Sequence, residues 1–146
     1  MGLLDEALLV VAATNNKEVN HRVYLDAKEK GIPVNIVDAP DLCDFIIPSK
    51  VERGDLLISI STNGKSPALS KKIRKKLQEE FGEEYKTLLD LMGEIRAKAM
   101  ESISEESDRV ALFENIINSD ILDLLKEDNI QQARDKAYKL FESYVK

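Results

Sequence analysis

The chain has 146 residues, is 43% hydrophobic and 33% charged, and carries a formal net charge of -6. That composition suits a folded domain rather than a disordered segment, and no apolar run reaches the ~20 residues of a membrane span, so no membrane association is expected. An acidic chain with no tryptophan, four tyrosines and four phenylalanines argues against a general nucleic-acid binder, and a lone Cys43, with no basic leader ahead of Asp5 and Glu6, excludes an internal disulfide and fits a reducing, cytoplasmic setting.

Residues 7–13, ALLVVAA, form a continuous apolar run, which predicts a strand covered on both faces in a parallel sheet. Thr14-Asn15-Asn16 offers capping side chains, and Val19, Val23 and Ala27 fall four apart, predicting a helix from Lys17 to Lys30. Gly31 is placed to end that helix, Pro33 follows, and Val34-Asn35-Ile36-Val37 reads as a second strand. Strand, helix and strand make the βαβ unit of an α/β domain, whose ligands lie at the carboxyl ends of the strands. Those ends are Ala13–Asn16 and Asp38-Ala39-Pro40. Phe45-Ile46-Ile47 is a short apolar patch closed by Pro48, and Leu56–Ser61 predicts a third strand after a Gly54-Asp55 turn. Ser66 is a natural N-cap and Pro67 a natural first residue of the next helix. Ala68, Leu69, Ile73 and Leu77 supply its apolar stripe, while Lys71, Lys72, Arg74, Lys75 and Lys76 take the remaining faces and read mostly as solvated. From Glu83 onward the pattern is helical: Tyr85, Leu88, Met92, Ile95 and Ala99 make one stripe, Val110, Phe113 and Ile117 a second, and Ala133, Ala137, Leu140, Phe141 and Tyr144 a third.

The loop Ser61–Ser66 gathers hydroxyls, backbone amides and Lys65 at a helix amino end, an arrangement that suits a carboxylate or phosphate but also reads as a plain capped helix. It is not a P-loop, because Ser59 stands where G-x-x-x-x-G-K-[ST] needs its first glycine. Asp38, a carboxylate at a strand end beside a crevice, is an acid–base candidate or a simple turn aspartate. Cys43 reads as a small packed residue and His21 as an exposed helix residue. The metal-ligand set is unknown, because one histidine and one cysteine do not make a zinc site.

Taken together, LLVVAATNNKEVNHRV, VNIVDAPDLCDFIIPS and RGDLLISISTNGKSPALSKKIRKKL resemble the precorrin-2 dehydrogenase/sirohydrochlorin ferrochelatase family of siroheme biosynthesis, in the order AAT, VN, N-x-V-D-x-P, F-x-x-P-S and S-T-x-G-x-S-P. The resemblance covers residues 8–80 and implies NAD-dependent oxidation of precorrin-2 to sirohydrochlorin, with ferrous iron as a further substrate in members that make siroheme. It implies Asp38 as the catalytic acid–base. Ala12, Ala13, Thr14 and Asn15 would lie against the dinucleotide, and Ser61, Thr62, Asn63, Gly64, Lys65 and Ser66 against the carboxylates of the tetrapyrrole. A homodimer sharing its central segment is also implied.

One departure stands out: no G-x-G-x-x-G occurs, and the first glycine after Gly2 is Gly31. The expected fold is therefore α/β, with a partial Rossmann-like parallel sheet over residues 1–48, a central dimerisation and substrate-loop segment over 49–82, and an all-α domain over 83–146. A chain that starts late in the dinucleotide-binding domain would be a truncated form, or would have the missing half supplied by another polypeptide. Two alternatives follow: a tetrapyrrole-binding and dimerisation fragment without NAD chemistry, or a protein retaining only ferrochelatase activity.

Overall fold

In the computed structural model, which describes residues 4–145, the chain divides into two compact units: Met1–Ser49 with Ile60–Lys72, and Lys50–Ser59 with Ile73–Lys146.

The first unit contains the βαβ arrangement. Strand β1 (Val10–Ala12) and strand β2 (Val34–Ile36) pair in parallel with Val10 opposite Val34 and Ala12 opposite Ile36. Helix α1 (Lys17–Glu29) connects them. Asn16 caps it by accepting the N–H groups of Glu18 and Val19 at 2.9 and 3.2 Å. At the other end Gly31, with φ of 67°, closes a Schellman motif: Ile32 donates to the Ala27 carbonyl at 2.9 Å and Gly31 to that of Lys28 at 3.1 Å. The core of the unit is Val10, Ala12, Ala27, Val34 and Ile36, with Val23, Tyr24 and Leu42 packed against it. Burying a valine or isoleucine side chain here is worth ~1.5–3 kcal/mol.

The expectation for ALLVVAA is only partly met. The strand is confined to Val10–Ala12, and it alternates: Val10 and Ala12 are buried, whereas Leu8 is 90% exposed and Val11 is 43% exposed. The continuous run fits a strand with sheet or helices on both sides, but among the described residues the sheet has only two strands and α1 covers one face. Val19, expected in the α1 stripe, is exposed, and Asn20 is buried in its place.

Strands β3 (Ser49–Arg53) and β4 (Leu56–Ile60) form a separate two-stranded hairpin. Its two-residue turn places Gly54 at φ 59°, the left-handed conformation its first position requires. Helix α2 (Pro67–Glu80) follows the loop, with Ser66 accepting the Leu69 N–H at 3.3 Å as its N-cap.

In the second unit, helices α3 (Glu84–Ser102), α4 (Glu106–Ile117), α5 (Ile121–Lys126) and α6 (Ile130–Glu142) surround a core of Leu88, Leu91, Ile95, Ala99, Leu112, Ile116, Ile121, Leu125, Ala133 and Ala137. Arg134 grips the Glu94 carboxylate with two bonds at 3.1 and 2.7 Å, which fastens α6 to α3. The α4 stripe differs from the expected one. Leu112 and Ile116 are buried, whereas Val110 and Ile117 are at least half exposed, because α4 carries two apolar faces and only one meets α3, α5 and α6. No helix among the described residues is long and apolar enough to cross a membrane.

This seam is testable by mutation. Leu112→Ala should lower unfolding free energy by about 2–5 kcal/mol, and Val110→Ala should stay within about 0.5 kcal/mol of wild type. Urea titration followed by far-UV circular dichroism reads both. Equal midpoints for the two variants would place the α4 seam wrongly.

Candidate functional site

The two parallel strands end at the same level. Beyond the last pair, the Val37 N–H reaches back to the Ala12 carbonyl at 2.9 Å. Immediately after that bond the chain turns: Ala39 donates to the Ile36 carbonyl at 3.1 Å, and Asp38 occupies the third position of the turn with φ of 62°. Aspartate and asparagine tolerate this left-handed conformation better than most residues, at a cost on the order of 1 kcal/mol. The Asp38 carboxylate is exposed and makes no hydrogen bond or ion pair among the described residues.

Side chains rather than a third strand close the outer edge of β2. The Asp44 carboxylate accepts the Val34 N–H at 3.0 Å, and its own N–H returns to the Val34 carbonyl at 2.8 Å. Asn35 donates to the Phe45 carbonyl at 2.7 Å. The Cys43 thiol accepts the Ile36 N–H at 3.3 Å and donates toward the carbonyls of Ile36 and Ala39 at 3.3 and 3.2 Å. Cys43 thus brackets both ends of the Asp38 turn, a packing role in line with its expected one. The Lys28 ammonium binds Asp44, and this contact first, then the Val34 N–H, holds the Asp44 carboxyl below the usual carboxylate range.

The loop Ser61–Ser66 is a turn of type I′: Asn63 and Gly64 have φ of 51° and 75°, and Lys65 donates to the Thr62 carbonyl at 3.0 Å. Glycine is needed at 64 for that φ and not for space, since a Cβ there would meet Pro40 only at ordinary contact, 3.9 Å. Each hydroxyl accepts a bond inside the loop. Ser61 Oγ takes the Asn63 N–H, Thr62 Oγ1 the Ser66 N–H, and Ser66 Oγ the Leu69 N–H. Thr62 also pairs with the buried Ser70 hydroxyl at 3.1 Å. These acceptor roles leave the Ser61 and Ser66 O–H groups available as donors.

A groove of about 610 Å³ runs between these parts. Asp38, Asn35, Asn63 and Gly64 give it polar points, and Val37, Phe45, Ile46 and Ile47 give it an apolar wall. A second groove of about 310 Å³ lies on the other side of the turn, lined by Lys17, Asn20, His21, Val37 and Asp38 among others. Asp38 therefore stands on the wall between two grooves. Of the loop residues expected to face a ligand, Asn63 and Gly64 line the larger groove, and Ser61, Thr62, Lys65 and Ser66 do not. His21 is exposed, as expected, but borders the smaller groove beside Asp38.

Ala12 is buried at the end of β1, and Ala13, Thr14 and Asn15 are exposed in the turn that follows. Asn20 holds this turn; in the sequence it stood only as part of the VN motif, with no role. Its Oδ1 accepts the Thr14 N–H at 3.2 Å and hydroxyl at 2.6 Å, and its Nδ2 donates to the Thr14 carbonyl at 2.9 Å. The signal was a polar residue on the face of α1 otherwise expected to be apolar. The arrangement does not fit a dinucleotide pyrophosphate: Asn16 already occupies the amino end of α1, and Glu18 adds negative charge to its first turn. Among the described residues no three His, Cys, Asp or Glu side chains gather as a metal site.

Residues 2–49 match a family model described as "Putative NAD(P)-binding", and residues 53–80 match one for the central region of siroheme biosynthesis proteins. A "Precorrin-2 dehydrogenase" of Methanosarcina barkeri is 34% identical over 144 residues, covering 99% of this chain and 63% of that protein. Nearly the whole chain is thus similar to a precorrin-2 dehydrogenase, and its first 80 residues carry both family models. A "Siroheme synthase" of Ruthia magnifica is 38% identical over 90% of this chain, and the match takes up 28% of that protein. A solved structure, "SirC, precorrin-2 dehydrogenase", superposes with a TM-score of 0.69 at 28% identity, covering 93% of this chain and 68% of that one. The chain thus spans roughly a quarter of the siroheme synthases it matches and under two thirds of the M. barkeri enzyme.

The Asp44 ion pair gives a pH prediction. Because its folded-state carboxyl titrates below the unfolded one, its stabilisation is present above the usual carboxylate range, near pH ~4, and fades as pH falls through the folded value. Asp44→Asn should therefore flatten the loss of stability below pH ~4 relative to wild type, measured by urea midpoints across that range. Parallel curves for the two proteins would refute the assignment.

Proposed function

We propose that this chain takes part in siroheme biosynthesis by oxidising precorrin-2 to sirohydrochlorin with NAD. The observation that carries this reading is the larger groove, where Asp38 meets Asn63 and Gly64 beside the apolar wall of Phe45, Ile46 and Ile47. An apolar wall with polar points beside it suits an apolar macrocycle bearing carboxylates. The names of the relatives point to the same chemistry.

Oxidation of the macrocycle removes a hydride and a proton. The hydride acceptor would be NAD+, held by groups other than the amino end of α1, which offers its pyrophosphate no seat. Asp38 accepts the proton, since its exposed carboxylate has no internal partner to compete for it. The donors left free on Ser61 and Ser66, with Lys65, lie outside the groove lining and would serve only carboxylates that extend beyond it. If ferrous iron is inserted into sirohydrochlorin, it is a substrate, and Asp38 would take up the displaced pyrrole protons. The hairpin β3–β4 supports a dimer through residues 49–82, because a two-stranded sheet is marginal alone and Leu57 on it is 59% exposed.

A second reading is favoured by one observation: the amino end of α1 is capped by Asn16 and carries no cradle for a pyrophosphate. On that reading the chain binds tetrapyrroles without NAD chemistry of its own. Calorimetric titration with NAD separates the two, since micromolar affinity in the isolated chain would exclude the second.

For the first reading, Asp38→Asn preserves the positive-φ turn while removing the base. It should lower the rate of precorrin-2 oxidation by about 10²–10⁴-fold, followed by sirohydrochlorin absorbance, with sirohydrochlorin binding retained. Full activity in the variant would remove Asp38 from the mechanism.

A further inference from the structure

Charge in this chain is segregated along the sequence. Residues 56–78 hold six of the 21 lysines and arginines and none of the 27 acidic residues, leaving 15 cations against 27 anions elsewhere. The six are Lys65, Lys71, Lys72, Arg74, Lys75 and Lys76, and none forms an ion pair among the described residues. Elsewhere some helical cations are paired, as Arg22 is with Asp26 and Arg134 with Glu94.

The helical turn arranges four of the six on one side. At ~100° per residue, Lys71, Lys75, Lys72 and Lys76 fall within an arc of roughly 140°. All four are exposed, while Ser70 is buried and Ile73 and Leu77 are half-buried on the opposite side of α2. The sequence alone read these lysines as spread over the remaining faces. Their clustering leaves unscreened repulsion between neighbours three, four and five residues apart, which disfavours the helix slightly and stabilises nothing within the chain.

The face also begins close to the loop. With a rise of ~1.5 Å per residue, Lys71 and Lys72 lie roughly 7–9 Å along the axis from the Ser66 cap, inside the Debye length of ~10 Å at 0.1 M salt. Lys75 and Lys76 lie at roughly 13–15 Å, where screening is stronger.

We propose that the lysine face of α2 steers polycarboxylate tetrapyrroles toward the Ser61–Ser66 loop, setting the rate of association rather than the chemistry. Steering of this kind rests on the tetrapyrrole reading of the groove. It suits an acidic protein in particular: a ligand with several carboxylates is repelled by most of the surface, and one cationic face restores productive approach. Attraction between a charged face and an opposite ligand raises association rates by about 10- to 1,000-fold at low salt, and salt removes the gain.

The test uses two porphyrins with the same ring and different charge, uroporphyrin with eight carboxylates and coproporphyrin with four. Association and dissociation rates are measured by stopped-flow at low and high salt. Three proteins are compared: wild type, Lys71→Gln/Lys72→Gln, and a control with the same charge change on the helical unit, Lys98→Gln/Lys139→Gln. The face variant should lose about threefold to tenfold in uroporphyrin association at low salt, less for coproporphyrin, with dissociation changed under about twofold and the difference gone at high salt. The control should stay close to wild type. Equal losses in face variant and control would assign the effect to net charge and overturn the proposal. So would tighter binding of a short duplex oligonucleotide than of uroporphyrin at matched salt. Unchanged association in the face variant, with precorrin-2 oxidation intact, overturns steering alone. Failure of wild type to bind either porphyrin overturns steering and the tetrapyrrole reading together.

Discussion

The bond from the Val37 N–H to the Ala12 carbonyl, at 2.9 Å, carries the parallel pairing one step past the last strand residues. Both strands therefore stop at the same level, and the two segments that leave them start side by side. One is the Ala13–Asn16 turn and the other is the turn that presents Asp38. In a parallel sheet the carboxyl ends share one edge by construction, so a connection through α1 suffices to bring these segments together.

What holds Asp38 after that is a strap rather than a strand. Residues Cys43–Phe45 run along β2 and satisfy Val34, Asn35 and Ile36 in turn, with a carboxylate, a backbone carbonyl and a thiol serving as partners. Polar backbone groups need partners whatever their source, and here side chains provide several of them. The strap then continues as Phe45, Ile46 and Ile47, so the segment that closes the sheet edge also builds the apolar wall of the larger groove. On the far side of β1 no strand is paired among the described residues, and Leu8, Leu9 and Val11 are exposed. Stability and site geometry are thus concentrated on the β2 side of the sheet.

Much of the local structure was legible in the sequence. The limits of α1 followed from the Thr14–Asn16 capping side chains and Gly31, and the start of α2 from Ser66 and Pro67. Family resemblance singled out Asp38 and the loop. Other features were not legible. Strand β3, SKVER, is mostly polar and is a strand only because β4 pairs with it. Helix α5 has six residues, too few for a periodic stripe to declare itself. Helix α4 offers Leu112 and Ile116 on one face and Val110 and Ile117 on another, and periodicity alone does not choose between them.

The sequence by itself determined where helices begin and end and which residues accept a left-handed turn, because caps and turns depend on interactions within four or five residues of the chain. It also carried the resemblance to precorrin-2 dehydrogenases, since ordered short motifs survive without reference to packing. Only the tertiary structure decided that Asn20 holds Thr14, that Cys43 brackets the Asp38 turn, and that Asn63 and Gly64 share a groove with Asp38. Those meetings join residues from separate elements, and a side chain's partner there is set by how the elements pack rather than by its neighbours in the chain.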